Sequence, residues 1–245
     1  MTTTKAIRLA SVVTAIDVLI ASGFSIVGII RPQYLLPAGS VPTQASLILA
    51  MYAADVSAAG VPVAYLTAHM TLARAGFQAG KTVLAPAIGG SVGNATTQLA
   101  LALGFNEVID TSSESLTDGV RRITDGYGAD IVIDALGGKI LSEALGALAL
   151  AGSLTTLGYS ASREATIDVT NLIWRRASIQ SFSLFAQPQA AFTEAWNAIV
   201  SLLQSGGIKP VIAKTFPLDE APDALRHLIE GRPFGKVILA VSRPA

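Results

Sequence analysis

Apolar and polar positions follow different patterns in the two parts of this chain. Residues 9–30 (LASVVTAIDVLIASGFSIVGII) carry a single charged residue, Asp17. From about residue 80 onward, short apolar, β-branched runs alternate with longer segments that suit helices. This alternation predicts an α/β fold, a truncated doubly wound (Rossmann-like) parallel sheet, preceded by apolar N-terminal helices.

The first apolar run is long enough to cross a bilayer, which needs roughly 20 residues. Its length favours membrane contact through residues 9–30, and the alternative is a buried helix in a globular core. Residues 1–54 as a whole resemble the opening of a small multi-span membrane protein. We therefore expect a cytoplasmic protein in which membrane association through the N-terminal segment is left open.

The remaining pattern predicts a series of strands and helices. A helix that begins near Ser113 or Ser115 has a hydroxyl available as its cap, and Gly126 to Gly128 end it. Strands are predicted at residues 82–86, 105–110, 129–136, 153–160, 177–185, 209–217 and 235–241. Helices are predicted around residues 66–72, from 91, and at 113–128, 139–152, 188–207 and 218–231.

A glycine-rich turn lies between the strand TVLAP and the next helix. Glycine lets the backbone turn tightly and approach a phosphate closely, and a helix start presents free N–H groups to that phosphate. The spacing is G-G-x-x-G, and the alternative interpretation is an ordinary strand-to-helix turn. The residues predicted to bind a nucleotide here are Gly89, Gly90, Ser91, Val92 and Gly93.

Charge and composition narrow the range of possible functions further. The formal net charge is zero, so nothing favours a nucleic-acid partner. Only six charged residues lie in the first 80 positions, and mean hydropathy is +0.54. The chain has no cysteine and two histidines, His69 and His227, so we expect no disulfide and no zinc site.

The order of motifs from residue 58 to residue 241 resembles the medium-chain dehydrogenase/reductase superfamily. LTAHMTL is followed by GKTVLAPAIGGSVG, GADIVIDALGG, GSLTTLGYS, SIQSFSLF and EGRPFGKVILAV. Within that superfamily the chain looks most similar to the zinc-free quinone oxidoreductase branch. The resemblance implies hydride transfer from NADPH or NADH to a small quinone or enone, with no metal involved.

The same resemblance suggests further cofactor-binding residues, each with a plainer alternative. Thr67 corresponds to a threonine near the nicotinamide or is a helix-packing hydroxyl, and Leu184 and Phe185 border the nicotinamide or pack in the core. Tyr65 and Tyr159 are weak candidates for a proton donor, and the two histidines are expected at the surface or in packing roles. The remaining predicted cofactor contacts, which are also plausible turn residues, are Gly137, Gly158, Tyr159 and Ser160.

One strand-helix unit of the family has no counterpart here, because the helix end LALG joins GFNEVID directly. The EVID strand either keeps its family position or moves into the vacant slot beside TVLAP. We favour the second option because it restores strand pairing. Asp110 would then follow Gly89 by 21 residues, where a ribose-binding carboxylate is expected. The alternative role for Asp110 is a turn residue at a strand end.

These observations divide the chain into three parts. Residues 1–54 form the apolar segment, 55–207 a nucleotide-binding domain without one strand-helix unit, and 208–245 a remnant of the catalytic domain. We expect a small-molecule substrate, and assembly as a homodimer is left open. The leading hypothesis is an NAD(P)H-dependent quinone or enone oxidoreductase, and the alternative is a non-catalytic, truncated or membrane-tethered remnant of such an enzyme.

Overall fold

The computed structural model describes residues 26–29, 60–101, 109 and 113–240. The strands are β1 Ile26–Ile29, β2 Val83–Leu84, β3 Ala129–Asp134, β4 Leu148–Thr156, β5 Ser178–Ser181, β6 Ile212–Pro217 and β7 Lys236–Ala240. The helices are α1 Ala64–Arg74, α2 Ser91–Leu101, α3 Leu116–Ile123, α4 Gly138–Gly146, α5 Val169–Arg175, α6 Gln189–Gln204 and α7 Ala221–Gly231.

The chain divides into two compact units. Val63–Lys209 forms one of them. The described residues of Met1–Pro62 and of Pro210–Ala245 belong to the other. The three-part division predicted from the sequence stays a prediction.

The unit Val63–Lys209 contains a parallel sheet with the strand order β2-β3-β4-β5. Strand β3 is buried along its whole length, as expected for an apolar strand covered on both faces. Leu148 and Leu154 of β4 and Val132 of β3 join Leu116 and Val120 of α3 in one apolar core. The prediction of an α/β fold with a parallel, Rossmann-like sheet is confirmed.

Helix α3 begins where the sequence predicted. The Ser115 hydroxyl accepts a hydrogen bond from the Asp118 N–H at 3.1 Å, so Ser115 is the N-cap residue. Glycine at position 119 brings the helix against the Ile109 side chain, because a Cβ there would lie 3.0 Å from the Ile109 Cγ1 atom. Ile109 thus packs beside the core formed by α3 and β3.

The structure corrects the boundaries of two predicted elements and adds a helix that was not predicted. The helix predicted over residues 139–152 ends at Gly146, since the chain from Leu148 onward pairs with β3 as a strand. Helix α5 was not predicted; Asp168 caps it by accepting a hydrogen bond from the Thr170 N–H. The strand predicted over 177–185 ends at Ser181 and is followed by a 3₁₀ turn.

The second unit holds a three-stranded parallel sheet with the order β1-β7-β6. Strand β1 corrects the prediction of an apolar helix over residues 9–30 at four positions, Ile26 to Ile29, which pair with β7. The rest of that predicted helix lies outside the described residues. Among the described residues, no helix has the length and apolar character needed to cross a membrane.

Candidate functional site

The carboxyl ends of four neighbouring strands meet at one edge of the sheet in the unit Val63–Lys209. Strands β2 to β5 are parallel and adjacent, so the segments that follow them emerge on the same side. Ligands bind at this edge in open α/β sheets. The predicted residues brought to this edge are Gly89, Gly90, Ser91, Val92 and Gly93 after β2, Gly137 after β3, Gly158, Tyr159 and Ser160 after β4, and Leu184 and Phe185 after β5.

The glycine-rich turn is built from backbone hydrogen bonds. The Gly90 N–H donates to the Ala87 carbonyl at 2.8 Å, and the Asn94 N–H donates to the Gly90 carbonyl at 3.0 Å. Ala87 has a left-handed backbone, with φ of 61°. A Cβ at position 93 would lie 2.7 Å from the Ala87 carbonyl carbon and 2.9 Å from the Pro86 oxygen. Only glycine therefore fits at position 93 without a backbone shift.

This close packing seats the first turn of α2 on the glycine-rich turn. Ser91 and Val92 occupy the first turn of α2. The first N–H groups of a helix have no partner within the helix, and they carry the positive end of its dipole. The arrangement suits the binding of a phosphate group.

The turn after β3 is organised by Asp134, a residue that the sequence analysis did not single out. Its fully buried carboxylate accepts hydrogen bonds from the N–H groups of Leu136 at 3.1 Å and Gly137 at 3.0 Å. Burial raises the pKa of Asp134, and these bonds act against that rise. Gly137 has φ of 69°, which glycine adopts without strain. Asp134 therefore holds the turn in shape.

The segment after β4 lies against the turn after β3. A Cβ at Gly158 would be 3.1 Å from both the Cα and the carbonyl carbon of Ala135. The Ser160 hydroxyl donates to the Ala135 carbonyl at 3.1 Å. Tyr159 is 45% exposed, and the Arg163 guanidinium lies 5.3 Å from the centre of its ring. An aromatic ring with a cation above it thus stands at this edge.

Two predicted nicotinamide neighbours differ in exposure. Leu184 is buried, as its core-packing alternative expects, whereas Phe185 is half exposed. Thr67 is buried within α1, where its N–H donates to the Val63 carbonyl and its own carbonyl accepts the Thr71 hydroxyl at 2.6 Å. The helix-packing alternative for Thr67 fits these contacts, and a cofactor role for it stays a prediction.

The proton-donor candidate Tyr65 is also buried, and its hydroxyl has no hydrogen-bond partner. Burial raises the pKa of Tyr65. A phenol enclosed in this way is not accessible to solvent. Tyr159 is therefore the better placed of the two tyrosines.

A cavity of about 730 Å³ adjoins the glycine-rich turn in the part of the chain that the structure describes. Its wall includes the Thr96 side chain, whose buried hydroxyl has no hydrogen-bond partner. Asp110, the predicted ribose carboxylate, lies outside the described residues. Walls of the cavity are formed by Val83, Ala87, Gly89, Thr96, Ile109 and Val120, among others.

The two histidines have different surroundings. The His69 Nδ1 atom is buried without a partner, and burial lowers the pKa of His69 while Glu194 partly offsets it. The His227 ring packs 5.7 Å from the ring of Phe216. Within the described ranges, no three His, Cys, Asp or Glu side chains are grouped to hold a metal ion.

Comparison with protein families identifies the chain's relatives. A family model described as zinc-binding dehydrogenase matches residues 103–239, more than half of the chain. The chain therefore belongs to this family, within the medium-chain dehydrogenase/reductase superfamily. The family's description names zinc, whereas this chain has no cysteine and only two histidines.

Individual relatives agree with this assignment. The chain is 29% identical over 216 residues to quinone oxidoreductase-like protein 2 of Bos taurus, and the match covers 75% of this chain and 60% of that protein. It is 30% identical to a highly reducing polyketide synthase of Aspergillus luteorubrus, over 75% of this chain and 7% of the synthase. A mycobacterial protein solved in complex with NADPH is 25% identical, with a TM-score of 0.68, and the match covers 75% of this chain and 65% of that one.

The chain thus spans less than two thirds of the length of each of these relatives.

Proposed function

We propose that this chain is an NAD(P)H-dependent oxidoreductase of the quinone reductase type that reduces a small quinone or enone. The observation that carries the proposal is the fit of Gly93 against the Ala87 and Pro86 backbone, which seats the first turn of α2 on the glycine-rich turn. Family membership and the NADPH complex of a structural relative support the same cofactor class.

The proposal assigns separate tasks to the four segments at the carboxyl edge. The N–H groups at the start of α2 hold the cofactor's pyrophosphate, in the way that helix N-termini bind anions. Gly137 and Gly158 allow the two turns to pack closely, because a side chain at either position would meet backbone atoms of the adjacent segment. Leu184 and Phe185 border the nicotinamide.

The reduced nicotinamide supplies the hydride when it is bound. The protein excludes water with apolar groups such as Phe185 and orients the acceptor beside Tyr159. An enone also needs one proton, and Tyr159 or solvent provides it in this proposal. No metal takes part.

Asp110 is proposed to bind the hydroxyl groups of the adenosine ribose. A carboxylate accepts hydrogen bonds from both ribose hydroxyls and repels a 2′-phosphate, so the proposal includes a preference for NADH over NADPH. Its basis is the spacing of 21 residues from Gly89.

A second candidate is a non-catalytic remnant of such an enzyme, tethered to a membrane or free of one. The observation that favours it is the direct join of LALG to GFNEVID, which leaves out one strand-helix unit of the family. This candidate predicts weak cofactor binding or none, and no turnover.

The two candidates are separated by assaying oxidation of NADH and NADPH with a benzoquinone and with an α,β-unsaturated ketone as acceptors. The quinone reductase proposal expects protein-dependent oxidation that saturates with cofactor. Cofactor binding without turnover on either acceptor class supports the remnant instead. Rates equal to the protein-free background at saturating cofactor contradict the proposed activity.

A further inference from the structure

Strand β2 is less well covered than its neighbour β3. Both residues of β2, Val83 and Leu84, are half-buried, whereas all six residues of β3 are buried. In the described part of the sheet, β2 is an end strand that pairs with β3. Ile109, which the sequence predicted in a strand over residues 105–110, is not in a strand. Apolar surface along β2 therefore lacks part of the cover that β3 has.

The cavity beside the glycine-rich turn follows this partly covered strand. Its lining includes Thr82 and Ala129, where β2 and β3 begin, and also Gly89 and Leu136, which come after these strands end. The six residues of β3 alone span roughly 15 Å at about 3.3 Å per residue, so the cavity is elongated along the strands. Helices α2 and α3 provide further walls through Thr96, Thr97, Ala100, Leu116 and Val120.

The lining of this cavity is uncharged and mostly apolar. Among the described residues that line it there is no Asp, Glu, Lys, Arg or His, and the polar side chains are four threonines. An ionised group placed here would lose its hydration without gaining a counter-charge. The volume of about 730 Å³ is typical of small-molecule sites. These properties fit an uncharged, largely apolar ligand.

Thr96 adds a polar group to this apolar wall. The hydroxyl of Thr97 is already engaged, because it donates to the Gly93 carbonyl at 2.9 Å. The Thr124 hydroxyl likewise donates to the Val120 carbonyl at 2.7 Å. Thr96 is fully buried, and its hydroxyl has no hydrogen-bond partner in the part of the chain that the structure describes. Buried hydroxyls normally have a partner, and a ligand oxygen beside Thr96 would supply one.

We propose that this cavity binds an uncharged aliphatic molecule with one oxygen-bearing end group, an alcohol or aldehyde of medium chain length. Its hydrocarbon chain lies along β2 against Leu84, Ile109 and Val120, and its oxygen accepts a hydrogen bond from the Thr96 hydroxyl. Burial of the chain removes apolar surface of both partners from water, which is favourable in proportion to the area. A chain suits the elongated cavity better than a bulky ring system does.

This site does not depend on the proposed hydride transfer. Its described lining residues all lie between positions 82 and 140, within the compact unit Val63–Lys209. The ligand needs no nicotinamide for its binding. Measurements without cofactor therefore separate a failure of this proposal from a failure of the proposed reductase activity.

Equilibrium dialysis of radiolabelled n-decanol against the full chain without cofactor tests the proposal. Decanoate, which is ionised at neutral pH, is the charged counterpart of the same chain length. We expect saturable binding of n-decanol and at least ~10-fold weaker binding of decanoate, whose charge the lining does not compensate. Equal binding of the two molecules overturns the proposal.

A variant that fills the cavity tests where n-decanol binds. Ala100 is buried in α2 and lines the cavity, so the larger side chain of Ala100→Leu occupies part of its volume. We expect at least ~10-fold weaker binding of n-decanol, which corresponds to about 1.4 kcal/mol. Ala190→Leu is the matched control, because Ala190 is exposed on α6 of the same unit, and its affinity should equal that of the wild type.

Thr96→Val tests the polar contact, because it removes the hydroxyl with little change in volume. It also removes a buried hydroxyl without a partner, so the variant is expected to fold. Affinity for n-decanol should fall several-fold, whereas Thr97→Val, whose hydroxyl is engaged with Gly93, should change it less. Circular dichroism checks that every variant is folded. Unchanged affinity in folded Thr96→Val, or no saturable binding of n-decanol by the wild type, overturns the proposal.

Discussion

The backbone of Gly93, in the first turn of α2, lies directly against the carbonyl group of Ala87. A Cβ on Gly93 would be 2.7 Å from the Ala87 carbonyl carbon, closer than real Cβ contacts. The helix start is therefore seated on the turn before it. This contact fixes the position of the first turn of α2, and the proposed cofactor site depends on it.

Asp130 ties the start of β2 to the start of β3, and its replacement is expected to destabilise the fold. Its carboxylate accepts hydrogen bonds from the Thr82 N–H at 2.8 Å and from Lys81 at 3.0 Å. Burial raises the pKa of Asp130, but hydrogen bonds from Thr82, Lys81 and Tyr127 and the charge of Lys81 outweigh burial and hold the pKa below its ordinary value of 3.8. Asp130→Asn should lower the free energy of unfolding at neutral pH by about 1–3 kcal/mol.

The pH dependence of that loss follows from the lowered pKa. The stabilisation is present above the unfolded-state pKa of 3.8 and is lost as pH falls through the lower pKa of the folded state. Urea unfolding of wild type and Asp130→Asn at neutral and acidic pH measures this, and the difference between them should narrow in acid. A difference that stays constant down to pH values below the folded pKa contradicts the assignment.

Gly119 and Ile109 are expected to be coupled in stability. Gly119→Ala alone should destabilise the chain, because the added methyl group meets the Ile109 side chain. In an Ile109→Ala background the same substitution should stabilise it by up to about 1 kcal/mol, the difference in helix propensity. A double-mutant cycle by chemical unfolding gives the coupling energy. Additive effects would mean that Ile109 does not pack on α3.

Asp110→Asn is expected to shift the cofactor preference toward NADPH. Like charges about 4 Å apart cost several kcal/mol at an effective dielectric near 20, and desolvation and movement reduce that cost. The wild type should therefore bind NADH more tightly than NADPH. The substitution should reduce the ratio of NADH affinity to NADPH affinity. The measurement is a pair of fluorescence titrations, with Asp118→Asn as a control at another acidic residue. Tighter NADPH binding by the wild type would refute the role proposed for Asp110.

Local patterns were sufficient to predict the parallel sheet and the glycine-rich turn. Strand β3 has a β-branched centre, Ile131 to Ile133, and Gly93 is required by contacts with residues only six and seven positions away. The Ser115 cap was also predictable, since its partner Asp118 is three residues further along. Each of these features rests on interactions that are close in sequence.

Features that depend on distant parts of the chain were missed. Residues 148–152 (LALAG) suit a helix by composition, but pairing with Ala129 makes Leu148 the start of a strand. Helix α5 exposes Ile173 and Trp174, so it lacks the usual apolar-inward pattern. Ile26–Ile29 pairs with β7 at the other end of the chain. Asp134 is the exception among the missed features, because its partners Leu136 and Gly137 are only two and three residues further along the chain.

The most direct test of the account is a titration of reduced nicotinamide fluorescence against the full chain and its Gly93→Ala variant. Gly146→Ala is the matched control, because a Cβ at this helical glycine has its nearest neighbours at 3.8 Å. We predict saturable binding by wild type and by Gly146→Ala, and at least ~10-fold weaker binding by folded Gly93→Ala, equivalent to about 1.4 kcal/mol. Equal affinity in wild type and folded Gly93→Ala, or no binding by the wild type, would contradict the assignment of the glycine-rich turn as the cofactor site.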